Sequence, residues 1–291
     1  MGKGFALGEI TLTPVVEQQQ PLFDVFEFFP DVTPELYQEN RSWLEPWAID
    51  PSTRKLIICV QSYLVRTPHH TILVDSCVGN DKHRPSLPFW HMMKSHTFLQ
   101  GLAAAGVSPA DIDFVMCTHL HIDHVGWNTR LENGRWVPTF PNARYLFSER
   151  ELAYWTALHA KNPIACIADS VLPILDAKKA DLVKSDHTLD DHVRLVPTPG
   201  HTPDHFAVAV GRGRDVAVIT GDLIHSPLQA RYPEISYGVD VDTRQSAATR
   251  RSFFERYCDT ETLCCTAHFP QPSSGRISQW GDGFRCTSVA P

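Results

Sequence analysis

No run in this chain stays apolar for the roughly 20 residues a membrane helix needs, so a spanning segment and a membrane partner are not expected. Basic charge is also scarce. Lys and Arg number 26 against 33 Asp and Glu, a formal net charge of −7, and no cationic excess is left to neutralise a phosphate backbone. A nucleic-acid partner is therefore disfavoured. The eight cysteines, Cys59, Cys77, Cys117, Cys166, Cys258, Cys264, Cys265 and Cys286, form no C-x-x-C pair. Several lie in apolar runs such as Ile57-Ile58-Cys59-Val60, the setting of buried free thiols rather than a disulfide framework. A reducing compartment, the cytoplasm, is expected. Cys264 and Cys265 would face opposite sides of a strand and need not act together. Met1–Ile10 carries one lysine and no apolar core, so a secretory signal is not expected. Internal repeats and a G-x-S-x-G nucleophile turn are absent as well, which excludes solenoids and the serine-hydrolase elbow.

What is present is an ordinary globular balance, 43% hydrophobic and 20% charged, over 291 residues, enough for one large core. A single domain over residues 1–291 is expected, with an aromatic N-terminal arm within 1–51. Short runs rich in Ile and Val alternate with helical patterns, which predicts an α/β fold. Strands are predicted at Ile10–Val16, Leu56–Val65, Thr71–Val74, Phe114–Cys117, Val193–Val196, Phe206–Val210, Val216–Thr220 and Leu263–Thr266. Ser148 with Glu151 reads as a capping box before Leu152–Leu158, and Asp242 with Gln245 opens a helix over Gln245–Tyr257. Ser108-Pro109 caps a short turn before Phe114. Pro21–Pro51 shows no periodicity but holds Phe23, Phe26, Phe28, Phe29, Trp43 and Trp47. It either packs on the body or on a second subunit, which would make a homodimer, or roofs a pocket.

The chemistry concentrates in Phe114-Val115-Met116-Cys117-Thr118-His119-Leu120-His121-Ile122-Asp123-His124. An apolar strand runs directly into three histidines and a carboxylate. His119 and His121, two apart, face the same way if extended, while Asp123 and His124 can address a second position. Imidazole and carboxylate are the ligands that borderline and hard divalent ions take, and four such residues in six positions point to metal. Further ligand-type residues end later apolar runs: His201 in Thr198-Pro199-Gly200-His201-Thr202-Pro203, Asp222 in Gly221-Asp222, and His268 in Ala267-His268. That is the placement expected where one end of a sheet forms a crevice.

In order and spacing, H-x-H-x-D-H, then Gly-His-Thr, then Gly-Asp, then a late His resemble the motifs of the metallo-β-lactamase superfamily over roughly residues 56–275. The resemblance implies a four-layer αββα sandwich with two divalent metal ions, zinc being favoured by ligand type, although manganese, iron or cobalt suit the same donors. One ion would be held by His119, His121 and His201 and the other by Asp123, His124 and His268, with Asp222 bridging. Asp75, after Thr71-Ile72-Leu73-Val74, resembles the family aspartate that supports a ligand histidine from behind; an ordinary turn aspartate is the other reading.

No cysteine occupies a motif position, which departs from the antibiotic-destroying members. Nor does the chain carry the flavin domain, basic inserted domain or basic C-terminal region of other branches. The run Gly221–Gln229, with Asp240-Val241-Asp242 after it, is similar to methyl parathion hydrolase and its lactonase-like relatives. Where acyl-homoserine lactonases carry a tyrosine three residues after the bridging aspartate, this chain has His225. His225 reads either as a pocket or oxyanion residue or as a packed structural histidine, and His205 as a supporting one. Trp90 and Trp127 suit an apolar substrate portion or plain core packing.

The function implied is a dinuclear hydrolase in which a hydroxide shared by the metals opens a lactone or cleaves a carboxylic ester, with phosphotriesters as a further substrate class. Asp123 or Asp222 would pass the proton to the leaving group. A glyoxalase II-like thioesterase is the alternative enzyme, and a non-catalytic metal-binding protein the alternative outside enzymes.

Overall fold

A computed structural model of the chain describes residues 4–289. They form two units. One comprises residues up to Gln18 with Val60–Lys184, and the other Gln19–Cys59 with the chain from Ser185 onward.

The first unit is built on strands β1 (Phe5–Leu7), β2 (Ile10–Asp24), β3 (Lys55–Arg66), β4 (Thr71–Val74), β5 (Phe114–Met116), β6 (Thr129–Glu132), β7 (Arg135–Pro138), β8 (Arg144–Ser148) and β9 (Ala180–Val183). Residues 19–24 of β2 and 55–59 of β3 count with the second unit. The sheet order is β1-β2-β3-β4-β5-β8-β9, and β6-β7 is a separate hairpin. Three successive pairings, β4-β5, β5-β8 and β8-β9, are parallel. The central strands are buried almost throughout, as parallel strands covered on both faces must be. Because β4 and β5 run parallel in the register Val74↔Met116, the segments after them, Asp75 onward and Cys117 onward, leave the sheet side by side.

The second unit carries β10 (Val193–Pro197), β11 (Phe206–Val210), β12 (Ala217–Ile219), β13 (Leu263–Cys265), β14 (Ser274–Trp280) and β15 (Gly283–Ser288), hydrogen-bonded in that order. Only the β12-β13 pairing is parallel, with Ile219↔Cys265 in register. Asp222 and His268 thus leave the same edge of the sheet. The antiparallel pairs β10-β11 and β11-β12 bring the end of β10, and His201 beyond it, to that edge too. The helix Thr243–Tyr257 packs Phe253, Phe254 and Tyr257 into a core with Val196, Ala209, Val218, Cys264 and Phe284.

Several boundaries differ from expectation. The strand predicted at Ile10–Val16 continues to Asp24, because the polar stretch after Val16 begins with a buried Glu17, whose carboxylate accepts the Val78 N–H and the Trp127 indole N–H. The strands predicted to Cys117, Thr220 and Thr266 stop at Met116, Ile219 and Cys265, where the chain turns into the site loops. The Ser148-capped helix spans Glu149–Lys161 rather than Leu152–Leu158, and the Asp242-capped helix starts at Thr243. Within Pro21–Pro51, read as aperiodic, lies the helix Pro34–Leu44, capped by Thr33 with Pro34 in its first turn. That segment packs within the second unit: Trp43 meets Trp280 edge-on, Trp47 meets Phe269, and Phe28 stacks on Tyr237 at 4.0 Å. No cysteine among the described residues is in a disulfide. Among those residues, no helix is long and apolar enough to cross a membrane.

Candidate metal centre

In the first unit the ligand-type residues lie on the loop after β5, and that loop is organised by Asp75. Oδ1 of Asp75 accepts the Thr118 backbone N–H at 2.8 Å, and Oδ2 accepts the Thr118 hydroxyl at 2.9 Å. Oδ2 also faces His124 Nδ1 at 2.9 Å. A carboxylate only accepts, so His124 Nδ1 carries the proton and Nε2 is the ring nitrogen able to take a metal. The Thr118 hydroxyl, which donates to Asp75, accepts from His119 Nδ1 at 3.1 Å, and this again leaves Nε2 as the nitrogen able to take a metal. The rings of His119 and His121 lie 4.5 Å apart, and those of His119 and His124 4.2 Å. His121 rests edge-on against Trp155, whose indole N–H donates to Glu151 on the same helix. Asp123 Oδ1 is 3.8 Å from His124 Nε2. The loop is drawn tight against the segment after β4, for Ser76 N–H donates to the His124 carbonyl at 2.8 Å and Gly126 N–H to the Cys77 carbonyl. Gly126 permits this approach, since a Cβ there would stand 1.8 Å from the Val78 carbonyl oxygen.

The second unit assembles a ligand-type group of its own from three loops. Asp222 is the centre. Its Oδ1 lies 2.9 Å from His268 Nε2, and its Oδ2 3.4 Å from His201 Nε2 and 3.2 Å from His225 Nε2. The two carboxylate oxygens therefore address different histidines. Each of these rings is fixed through its δ nitrogen: His268 donates to the Cys59 carbonyl at 2.8 Å, and His201 to Asp240 Oδ1 at 2.8 Å. His225 Nδ1 faces Gln229 Oε1 at 3.3 Å, and that same oxygen accepts the His225 backbone N–H at 2.8 Å. His205 accepts the Asp222 backbone N–H on Nε2 at 2.9 Å and donates from Nδ1 to Thr198, a support for the loop.

Electrostatics follow from this crowding. Burial works against a charged His201, but the carboxylates of Asp222 and Asp240 outweigh it and push its pKa up to about 9. Burial likewise opposes charge on Asp240, yet His201 holds its carboxyl below the usual range. At His225 burial dominates and lowers the pKa, although Asp222 pulls the other way. A metal ion bound at His201 Nε2 would replace a proton there, so loading should weaken as pH falls.

The donor chemistry fits divalent metal. Imidazole ε nitrogens are presented by rings whose δ nitrogens are engaged, next to carboxylates, in both units. Of the residues singled out in the sequence, His119, His121, Asp123, His124 and Asp75 come together in the first unit, and His201, Asp222, His225 and His268 in the second. Trp90 and Trp127 are instead core residues, 4% and 3% exposed. Trp127 stacks on Phe98 and donates from Nε1 to the buried Glu17. Sequence reasoning did not single out Thr118, Tyr237 or Arg250, and treated Asp240 only as part of a motif run. The signal for Arg250 was a cation on the buried stripe Ser246, Arg250, Phe253, Phe254, Tyr257.

The family model of the metallo-β-lactamase superfamily matches residues 60–268. The chain belongs to that superfamily. The fold anticipated from its motifs is thus the metallo-β-lactamase fold. Among curated relatives, the N-acyl homoserine lactonase AiiA of Bacillus thuringiensis subsp. kurstaki is 28% identical over 163 residues, 52% of this chain and 58% of its own length. An N-acyl homoserine lactonase of Bacillus cereus is 27% identical over the same span. The chain spans just over half the length of these relatives. Among solved structures, the dizinc quorum-quenching lactonase AidC, in complex with N-hexanoyl-homoserine product, superposes with a TM-score of 0.82 at 22% identity, covering 99% of this chain and 97% of AidC. The hydrolase AbOPH of the β-lactamase superfamily does so with 0.82 at 20% identity and the same coverage. At these identities the likeness shows the fold.

Proposed function

We propose that this superfamily member is a dinuclear metal-dependent hydrolase of lactones or carboxylic esters. The observation that carries the proposal is Asp222, which turns one carboxylate oxygen toward His268 and the other toward His201. That is the disposition a bridging carboxylate needs. In this reading His119, His121 and His201 serve one ion, Asp123, His124 and His268 the other, and Asp222 both. The histidine and carboxylate set favours zinc. When bound, the ions supply Lewis acidity and an attacking water activated near neutral pH.

The chain's own groups then have distinct tasks. Asp75 fixes the orientation of His124, and through Thr118 that of His119. Asp123, only partly buried, is the carboxylate with room to hold a proton and return it to the leaving alkoxide, with Asp222 as the alternative carrier. His225 faces Asp222 and lies against Phe28 and Tyr237 with ring centroids 5.6 and 4.5 Å away. It is assigned to the substrate end, on the resemblance that places it where acyl-homoserine lactonases carry tyrosine. The names of the lactonase relatives support lactones as the first substrate class; phosphotriesters come second, on the likeness of Gly221–Gln229 to methyl parathion hydrolase alone.

Metal analysis of the purified protein together with a panel of lactones, esters, thioesters and phosphotriesters tests the reading. About two ions per chain and fastest turnover on a lactone or ester are expected. A metal-free protein with full activity would end it, and a clear preference for thioesters would replace it with the glyoxalase II-like alternative.

A further inference from the structure

We infer that Asp240, clamped by the buried Arg250, is the positioning residue for His201, and that it sets how tightly one of the two metal sites holds its ion. The inference rests on the metal reading above and concerns residues of the second unit alone. Asp240 is fully buried at its side chain, and its Oδ1 receives the His201 Nδ1–H at 2.8 Å. Acceptance by a carboxylate fixes which ring nitrogen carries the proton, aims Nε2 toward Asp222 and makes that nitrogen more basic.

A buried carboxylate needs its own support: the Tyr237 N–H donates to Asp240 Oδ2 at 3.3 Å, and Arg250 supplies the balancing charge. This side chain is 0% exposed and lies 3.7 Å from Asp240 Oδ2. Its remaining donors are all directed at fixed acceptors. Nε donates to the Leu223 carbonyl at 2.7 Å, one terminal nitrogen to the carbonyls of Pro233 and Ile235, and the other to Ser246 Oγ at 2.9 Å. Leu223 directly follows Asp222, so one guanidinium ties the loop that carries the bridging carboxylate to the loop that orients His201. Backbone bonds tighten the same joint. Val241 N–H donates to the His201 carbonyl at 3.0 Å, and Asp242 N–H to the Gly200 carbonyl at 2.9 Å. A planar fork with this many fixed acceptors is a role lysine cannot fill.

The test is titration of the metal-free full-length protein with Zn2+ against a chromophoric chelator, alongside thermal unfolding of the metal-free form. Parent, Asp240→Ala, Asp240→Asn and Asp215→Asn are compared; the last disturbs an ion pair with Arg194 elsewhere in the same unit. Asp240→Ala is expected to weaken one of the two binding steps by roughly 10- to 100-fold and leave the other unchanged. Asp240→Asn keeps an acceptor for Nδ1–H but loses the charge, so it should weaken the same step by less. Asp215→Asn should weaken neither. If Asp240→Ala fails to fold, Asp240→Asn carries the test. Both steps unchanged in a parent that binds two ions would overturn the inference, as would equal weakening of both steps, which marks a loosened fold. A parent that binds no ion would overturn the metal reading first and this inference with it.

Discussion

The two units arrive at similar ligand groups by opposite routes. The first draws its four from the six residues His119–His124, on one loop, and braces His124 and, through Thr118, His119 with a single carboxylate, Asp75, across a parallel strand pair. The second gathers His201, Asp222 and His268 from three strand ends and braces each differently: with a carboxylate, with a backbone N–H bond from its own loop to His205, and with the Cys59 carbonyl. A ligand set written contiguously needs one tight turn. A dispersed set needs the whole sheet in register, plus a buried cation to hold the loops.

The largest test of this contrast is ligand removal. His121→Ala and His268→Ala should each abolish turnover and lower bound metal from about two ions per chain, measured by elemental analysis. They should differ in the metal-free protein. His121 is half-buried against Trp155, so its loss leaves the melting temperature nearly intact. His268 is buried and its Nδ1–H donates to the Cys59 carbonyl, which the substitution leaves without that side-chain donor, so its loss should lower the melting temperature by several degrees. Equal melting temperatures would erase the distinction.

Next come the glycines that let each loop close. Gly126→Ala drives a methyl to 1.8 Å from the Val78 carbonyl, and Gly200→Ala drives one to 2.2 Å from Ser246 N at a φ of +133°. Denaturant unfolding should show losses of roughly 3 kcal/mol for either. A tolerated Gly126→Ala would mean that the first loop is less tightly drawn than its hydrogen bonds imply.

An effect of similar size, but dependent on pH, separates the buried cations of the two units. Lys82 in the first is held near Thr129 and Asp169, and burial, only partly offset by Asp169, lowers its pKa to about 7. Arg250 in the second falls only to about 10 and remains charged. Between about 7 and the ordinary lysine value of 10.5 the unfolded chain binds the extra proton, so folding stability should rise with pH across that window. Below about 7 both states are protonated at this group and the slope disappears. Lys82→Met should flatten the rise, an effect on the order of a few kcal/mol in urea unfolding followed from pH 7 to 10. An unchanged slope would place the titration elsewhere. The smallest expectation is Cys264→Ala. It removes a thiol that is 1% exposed in the second core, costing about 1 kcal/mol, and leaves turnover on the best substrate unchanged.

Legibility followed the same divide. His119, His121, Asp123 and His124 could be read directly because an apolar strand ends in residues with no place in a core. His201, Asp222 and His268 were readable for the same reason, each closing an Ile- or Val-rich or Cys-containing run. The helix Pro34–Leu44 was missed although Thr33-Pro34-Glu35 is a start signal, because aromatic residues and prolines on either side masked its period. Strands β14 and β15 were missed because Arg276, Gln279, Arg285, Thr287 and Ser288 face solvent and break up their apolar positions.

The sequence by itself determined the ligand types, their order and the strand ends that bear them, since these depend on local hydrophobic pattern and side-chain chemistry. Only the tertiary structure decided which nitrogen of His124, His201 and His268 is left to face a metal. That choice lies with the group on the other side of the ring: Asp75 for His124, 49 residues away, Asp240 for His201, 39 away, and the Cys59 carbonyl for His268, 209 away. A backbone carbonyl carries no residue signature, and a distant carboxylate looks like any surface aspartate until the chain folds around it.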